Sequence, residues 1–148
     1  IDDEVVRKAA NREIVRRYYN SLVAVRKGEE PKEIIYKHEI QMKQAKISPA
    51  DRPVIAAALA KRDQTGEPAA AIELCDGKII TGRTSELLGT CSAMLLNALK
   101  EITSIPDEIH LLAPEVIEPV QKLKCKYLSR TYKKLNVNEI LIALSIRL

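Results

Sequence analysis

Tryptophan and phenylalanine are both absent from the 148 residues, and five tyrosines are the whole aromatic complement. Any core formed by this chain is therefore expected to be aliphatic, filled by Ile, Leu, Val, Ala and Met. Cysteine is scarce as well. Cys75, Cys91 and Cys125 form no C-x-x-C pair, and their odd number argues against a disulfide framework and fits a reducing compartment. The two histidines, His38 and His110, lie far apart without ligand-type spacing, so a zinc site made from His and Cys alone is not expected. No apolar run approaches the roughly 20 residues of a spanning helix, and no signal-peptide pattern opens the chain. A cytoplasmic protein with no membrane partner is the expectation. Against 24 basic residues stand 20 acidic ones, and the net charge of +4 permits nucleic-acid contact without predicting it. There is no internal repeat and no low-complexity tract.

What the chain does have is a central stretch, residues 69–100, around which the rest is arranged. Two short runs with strand character, 69–74 and 78–81, flank Cys75, Asp76 and Gly77. Asp-Gly between apolar runs predicts a hairpin with a type I′ turn. A loop bounded by Gly82 and Gly89 follows, and Thr90-Cys91-Ser92 opens a helix. Met94, Leu95, Ala98, Leu99 and Ile102 give that helix one apolar face, which is expected to cover the hairpin.

Upstream, Asp2 or Asp3 is placed to cap a first helix running to about residue 26, with Gly28 as its stop. Val6, Ala10, Ile14, Tyr18 and Leu22 form one stripe and Val15, Tyr19 and Val23 an adjacent one. So broad an apolar surface predicts contact on two sides. Pro31 suits the first turn of a second helix, whose Ile35, His38, Met42 and Ala45 share a face. His38 is expected to be a partly buried core residue rather than a ligand. The turn cluster at residues 48–53 leads into a third helix ending near Thr65 and Gly66.

Downstream, residues 108–112 read as a third strand. Pro114 predicts a single turn and Pro119 the start of a helix reaching Tyr127, because a proline deep in a helix costs a hydrogen bond and clashes with the preceding turn. Residues 129–135 read as a basic, polar connection. Asn136 and Glu139 have capping-box spacing ahead of Ile140, Leu141, Leu144 and Leu148, which predicts a last helix; a strand over 140–146 is the alternative. A chain that begins without Met and stops in mid-helix reads as a piece of something larger.

Several of these runs carry a resemblance. Asp51-Arg52-Pro53-Val54, Ala71-Ile72-Glu73-Leu74, Thr81-Gly82, Thr84-Ser85-Glu86-Leu87-Leu88-Gly89, residues 93–100, Ile105-Pro106-Asp107-Glu108-Ile109-His110-Leu111, Pro114 and Ile117-Glu118-Pro119 resemble the carboxyl-terminal part of a bacterial family, domain of unknown function eighteen-forty-six. Residues 6–11, Ile14 and Arg16-Arg17-Tyr18 look like the same family, so the similarity covers nearly the whole chain. The resemblance implies an α/β protein with an N-terminal helical subdomain, residues 1–66. A cytidine deaminase-like α/β sandwich would follow over 67–148, lacking the zinc motif and truncated at its C-terminal end. It also implies a longer parent protein with an upstream nucleotide-binding-like region containing a glycine-rich phosphate loop, and further strands beyond Leu148. The remaining domains of that parent would be the natural partners.

Zinc deamination makes a sharp demand: a His or Cys with a Glu two residues later at one helix start, and P-C-x-x-C at another. Cys91 fits the first position, but Ala93 stands where the Glu is needed, and Pro114-Glu115-Val116-Ile117-Glu118 replaces both cysteines. No metal and no cofactor is therefore expected. Glu115 and Glu118 could ligate a harder cation, although acidic residues in a first helical turn also suit the helix dipole. Cys91 reads as a buried small hydrophobe.

Arg83, Thr84, Ser85, Thr90 and Ser92 supply a guanidinium, hydroxyls and backbone donors near a helix start. That is suitable chemistry for a phosphate or carboxylate, although no G-x-x-x-x-G-K-[ST] loop is present. Ordinary capping by Thr90 or Ser92 explains the same residues. Lys122, Lys124, Lys126, Arg130, Lys133 and Lys134, interleaved with Tyr127 and Tyr132, form a basic strip that a solvated helix end explains equally well; nucleic acid is the minor reading. The expected function is thus a small-anion-binding or packing domain of a larger nucleotide-binding protein. Half of a composite ATP-dependent site and weak nucleic-acid binding are the alternatives. Whether the chain is an enzyme, and whether it self-associates, stays open at this level.

Overall fold

A computed structural model describes residues 3–145, and the chain divides into two compact units after Pro53. The first holds α1 (Asp3–Lys27) and α2 (Glu33–Ala45), joined by a short connection into a helical hairpin. Gly28 ends α1 as expected, at φ 78°, with its N–H bonded to Val25 O and that of Glu29 to Ala24 O. Asp3 is the first described helical residue, and Asp2 lies outside the described residues. Pro31 falls just ahead of α2 rather than in its first turn, and its carbonyl accepts from Ile34 N–H at 3.2 Å.

The faces follow the periodicity. Met42 and Val15 are buried, while Ile35, His38 and Ala45 are half-buried. Only part of the wide apolar surface of α1 is covered, since Val6 and Val23 remain more than half exposed. Glu13 holds this helix together on its polar side: Arg16 Nε donates to one carboxylate oxygen at 2.6 Å and Arg17 Nε to the other at 2.9 Å.

The expected subdomain boundary at residues 66 and 67 differs from the observed one, because α3 (Pro53–Thr65) groups with the second unit. It stops at Gly66, φ 72°, near the predicted end. Next come β1 (Ala69–Glu73) and β2 (Ile79–Arg83), antiparallel, with Ala71 opposite Thr81 and Ile72 opposite Ile80. The hairpin is as predicted; the turn is not. Leu74 O accepts from Gly77 N–H at 2.9 Å and Leu74 N–H donates to Lys78 O at 2.8 Å, so the loop is three residues long. Gly77 alone takes positive φ, at 84°, while Asp76 accepts from Lys78 N–H through Oδ1. A three-residue loop needs only one left-handed position, which is why type I′ geometry is avoided.

On this hairpin lies α4 (Thr90–Thr103). Gly82 permits the contact: a Cβ placed there would stand 2.1 Å from Met94 N and 2.5 Å from its Cα. Glycine in β2 is thus required by helix backbone, not by a turn. The far side of α4 enters a second layer. Leu96 is buried there with Leu112, Ile117, Leu135, Ile140 and Ala143, and Leu99 packs against them. Because α4 has neighbours on two sides, the single predicted face is incomplete: Leu96 belongs to the core, whereas Ile102, in the last turn, is 65% exposed. The core is aliphatic, as the missing Phe and Trp require.

Residues 108–112 form no strand. They run as a loop in which Leu112 drops into the helical cluster and Ile109 stays exposed, and β1 and β2 make the only sheet among the described residues. Without a ladder partner, alternation alone does not make a strand. The helix α5 (Pro114–Lys122) runs through Pro119 instead of starting there. The hydrogen bond lost is the one to Glu115 O; both residues are exposed, so water can satisfy that carbonyl. A π-helical turn, Leu123–Tyr127, follows, closed by Leu128 N–H to Leu123 O at 3.2 Å.

Leu135, expected in a polar connection, is fully buried and pairs in parallel with Leu88. Its N–H donates to Leu87 O at 2.9 Å, and its carbonyl accepts from Gly89 N–H at 3.0 Å and from Ser92 Oγ at 2.7 Å. The last element, α6 (Val137–Ser145), is a helix rather than the alternative strand, and the capping box is formed as predicted by Asn136 and Glu139. Leu148 lies outside the described residues. Among those described, no helix is long and apolar enough to cross a membrane.

Three outcomes are expected. Gly82→Ala should cost about 3 kcal/mol in urea denaturation, because the added methyl meets backbone that a side-chain rotation cannot move. Ser92→Ala should cost about 1 kcal/mol, the value of one buried hydrogen bond to a carbonyl that keeps a second donor. The paired guanidinium groups, Arg16 first and then Arg17, hold the Glu13 carboxyl down from its ordinary 4.5 to about 2. The helical support it provides is therefore present above pH 4.5 and lost as pH falls through about 2. Carbon-13 titration of the Glu13 carboxyl should show the low midpoint; an ordinary midpoint would mean the forks do not persist in solution.

Candidate functional site

The predicted site lies where β2 gives way to α4, and its residues meet different fates. Arg83 ends β2 with an exposed side chain whose Nη1 reaches Thr84 O at 3.4 Å. Thr84 is buried and its hydroxyl pairs with that of Thr90 at 3.3 Å, leaving one hydroxyl hydrogen of the pair free. Ser85 folds the loop: its Oγ accepts from Leu88 N–H at 3.1 Å, and its N–H donates to Leu88 O at 3.0 Å. Ser92 is buried and committed to Leu135 O. Neither Thr90 nor Ser92 caps α4. The N-cap is Gly89, in extended conformation and without a side-chain acceptor, so the ordinary capping explanation is replaced by hydroxyls spent on tertiary contacts.

Along α4, from Ala93 to Lys100, is a cavity of about 260 Å³. Leu88, Leu96, Leu112 and Ile117 supply an apolar floor, and Ser85, Asn97, Lys100 and His110 are the polar groups on its wall. Of the five predicted ligand residues, Ser85 alone lines it. Asn97 Nδ2 donates to Thr81 O at 2.9 Å, which leaves the amide oxygen as an acceptor. Lys100 Nζ donates to Asp107 O at 2.7 Å and retains two further N–H groups. Asn97, Lys100 and His110 were not singled out as ligands from sequence. Asn97 and Lys100 lie three apart on one turn of α4, a signal too common to read alone, and the loop that brings His110 was expected to be a strand.

Ala93 and Pro114 also line this cavity, whereas Cys91, Glu115 and Glu118, at the positions where zinc deamination would need ligands, do not. Glu115 and Glu118 are exposed, and the described residues contain no group of three or more His, Cys, Asp or Glu able to hold a metal ion. Cys91 is exposed, correcting the expectation of a buried hydrophobe; the first turn of α4 points that position away from both packed layers.

The basic strip is reduced from within. Lys124 is 8% exposed, with Nζ 2.9 Å from Glu139 Oε2 and 3.0 Å from Lys134 O. Its ammonium also stands 5.5 Å from the Tyr132 ring centre, and Lys126 lies 5.7 Å from that of Tyr127. Both tyrosines thus already face cations of this chain.

In the first unit, Ser21 Oγ lies 3.2 Å from His38 Nε2, and His38 Nδ1 3.2 Å from Gln41 Oε1. The connectivity is that of nucleophile, base and orienting group. Ser21, however, is 7% exposed inside α1, where backbone N–H groups are spent on the helix ladder and none can serve an oxyanion. The relay joins the two helices, in keeping with a partly buried structural His38.

Residues 50–147 match the family described as "Domain of unknown function DUF1846, C-terminal", and residues 1–46 match "Domain of unknown function DUF1846, N-terminal". A UPF0371 protein of Corynebacterium urealyticum is 50% identical over 145 residues, covering 98% of this chain and 29% of the relative. One from Corynebacterium glutamicum is 47% identical over 146 residues, 99% of this chain and 30% of its own length. A third, from Streptococcus thermophilus, is 42% identical over 145 residues, again 98% and 29%. The chain spans about 29% of the length of the curated relatives it matches. With nearly every residue inside one or other family match, this chain belongs to the DUF1846 family.

Proposed function

We propose that the second unit binds a small organic anion in the cavity beside α4. The observation that carries this reading is the convergence of Ser85, Asn97, Lys100 and His110 over an aliphatic floor in a space of about 260 Å³. A concave site with an apolar base and a few directed polar groups is the usual form of a small-ligand pocket. Lys100 supplies charge and Asn97 an acceptor. Arg83, Thr84, Thr90 and Ser92 take supporting parts: Arg83 adds positive potential nearby, and the three hydroxyls hold the loop that presents Ser85. The deaminase-like architecture is kept as part of this proposal, supported by a hairpin covered by one helix and a second helix opening at Pro114, and weakened by the missing third strand. Nucleic-acid binding loses Lys124 to an internal ion pair. The composite-enzyme alternative uses the same cavity and needs a phosphate-activating region supplied by another part of a longer protein.

A second reading is a packing surface for such a region, or for another copy of the chain. It is favoured by adjacent Leu141 and Ile142 on α6, 49% and 58% exposed.

The test is an NMR titration of the 148-residue chain with a panel of short carboxylates, sugar phosphates and nucleotides. A ligand of the proposed class should perturb Ser85, Asn97, Lys100 and His110, and Lys100→Ala should weaken its binding about tenfold, the worth of one charge-assisted hydrogen bond. An unperturbed spectrum across the panel, or full affinity in Lys100→Ala, would refute the assignment.

A further inference from the structure

Three of the residues lining the cavity along α4 are also members of the core. Leu96, Leu112 and Ile117 are 8%, 4% and 3% exposed, and all three belong to the cluster that includes Leu135 and Ile140. The space is therefore a recess whose floor is the core of the second unit. Leu88, half-buried and packed on the same cluster, extends the aliphatic lining. A chain without Phe or Trp has only narrow apolar side chains with which to close such a gap.

The polar wall is sparing. Ser85 Oγ accepts from Leu88 N–H, so its own hydrogen is left to donate. Lys100 spends one N–H on Asp107 O and keeps two, while Asn97 turns Nδ2 to Thr81 O and has its amide oxygen left over, an acceptor. One ammonium and a hydroxyl match the single charge and two oxygens of a carboxylate. A phosphoryl group brings more oxygens and up to two charges, for which the lining holds no second lysine and no arginine. Size narrows the body as well. At roughly 30 Å³ for each water-sized group, a recess of about 260 Å³ takes about eight or nine of them. A six-carbon carboxylate has about that many non-hydrogen atoms, and a mononucleotide about three times as many.

We infer that the cavity takes a short aliphatic carboxylate of about six carbons, its charged end at Lys100 and Ser85 and its apolar end on Leu96, Leu112 and Ile117. The inference rests on the anion reading of the same cavity and adds the class of ligand.

NMR titration of the 148-residue chain with straight-chain carboxylates from acetate to decanoate provides the test. Hexanamide serves as the neutral isostere, and ribose phosphate and adenosine monophosphate as the phosphorylated competitors. Affinity should rise about fourfold with each methylene up to hexanoate, then level off or fall once the body no longer fits. Methyl signals of Leu96, Leu112 and Ile117 should shift with it. Hexanamide should bind about tenfold more weakly, and Lys100→Ala should lower hexanoate to the level of the amide while keeping the dependence on chain length. Tighter, Lys100-dependent binding of either phosphate ester would overturn the ligand class and leave the anion reading standing. So would an affinity indifferent to chain length, or one that climbs on to decanoate with shifts at the exposed Leu141 and Ile142 instead of the core methyls. Hexanamide binding as tightly as hexanoate, or no binding by any compound, would overturn both.

Discussion

The close approach of α4 to β2 at Gly82 sets the geometry of the second unit. A helix rarely lies with its backbone within reach of where a strand's Cβ would be; here the missing side chain allows it. The hairpin is therefore covered tightly by one helix, and α4 is held at a depth where its other side, through Leu96 and Leu99, forms the floor for Leu112, Ile117, Leu135 and Ile140. Without aromatic rings to fill wide gaps, short separations between elements are the way this chain reaches interior density. The small side chain of Ala98, nearly fully buried, serves the same end.

A second constraint acts through residue 135. One backbone carbonyl collects Gly89 N–H and Ser92 Oγ, and the same residue's N–H holds Leu87 O, so the loop after β2 and the segment before α6 are fixed together. Lys124 completes the anchoring by joining Lys134 O and Glu139, the same carboxylate that caps α6. A buried ammonium is tolerable only with such partners. These commitments decide which polar residues remain for chemistry. Ser92 and Lys124 looked reactive or basic in sequence and are structural; Asn97 and Lys100 looked like ordinary helix surface and line a cavity.

How much could be read beforehand follows from how local each signal is. The hairpin at Asp76-Gly77, the stop at Gly28 and the Asn136–Glu139 box were legible because their causes lie within four residues. The turn type was not, because it depends on whether Cys75 joins the loop, a matter of cross-strand register. Gly82 read as loop punctuation because glycine usually marks a turn, and only the position of Met94 reveals the true reason. Leu135 stands beside Lys133 and Lys134 with no periodic companions, so burial could not be inferred from pattern. The polar tie between Ser21 and His38 spans 17 residues and has no sequence signature at all. For the candidate site, Ser85 of the expected loop does line the cavity, while His110 reaches it from a loop expected to be a strand.

The lining of the cavity in the second unit bears on what it could select. In the second unit the walls are mostly aliphatic and the cation is single, so discrimination would rest on the shape of a ligand's apolar body, where one methylene is worth about 1–3 kcal/mol. A site of that kind would read the identity of the body it encloses more than its charge.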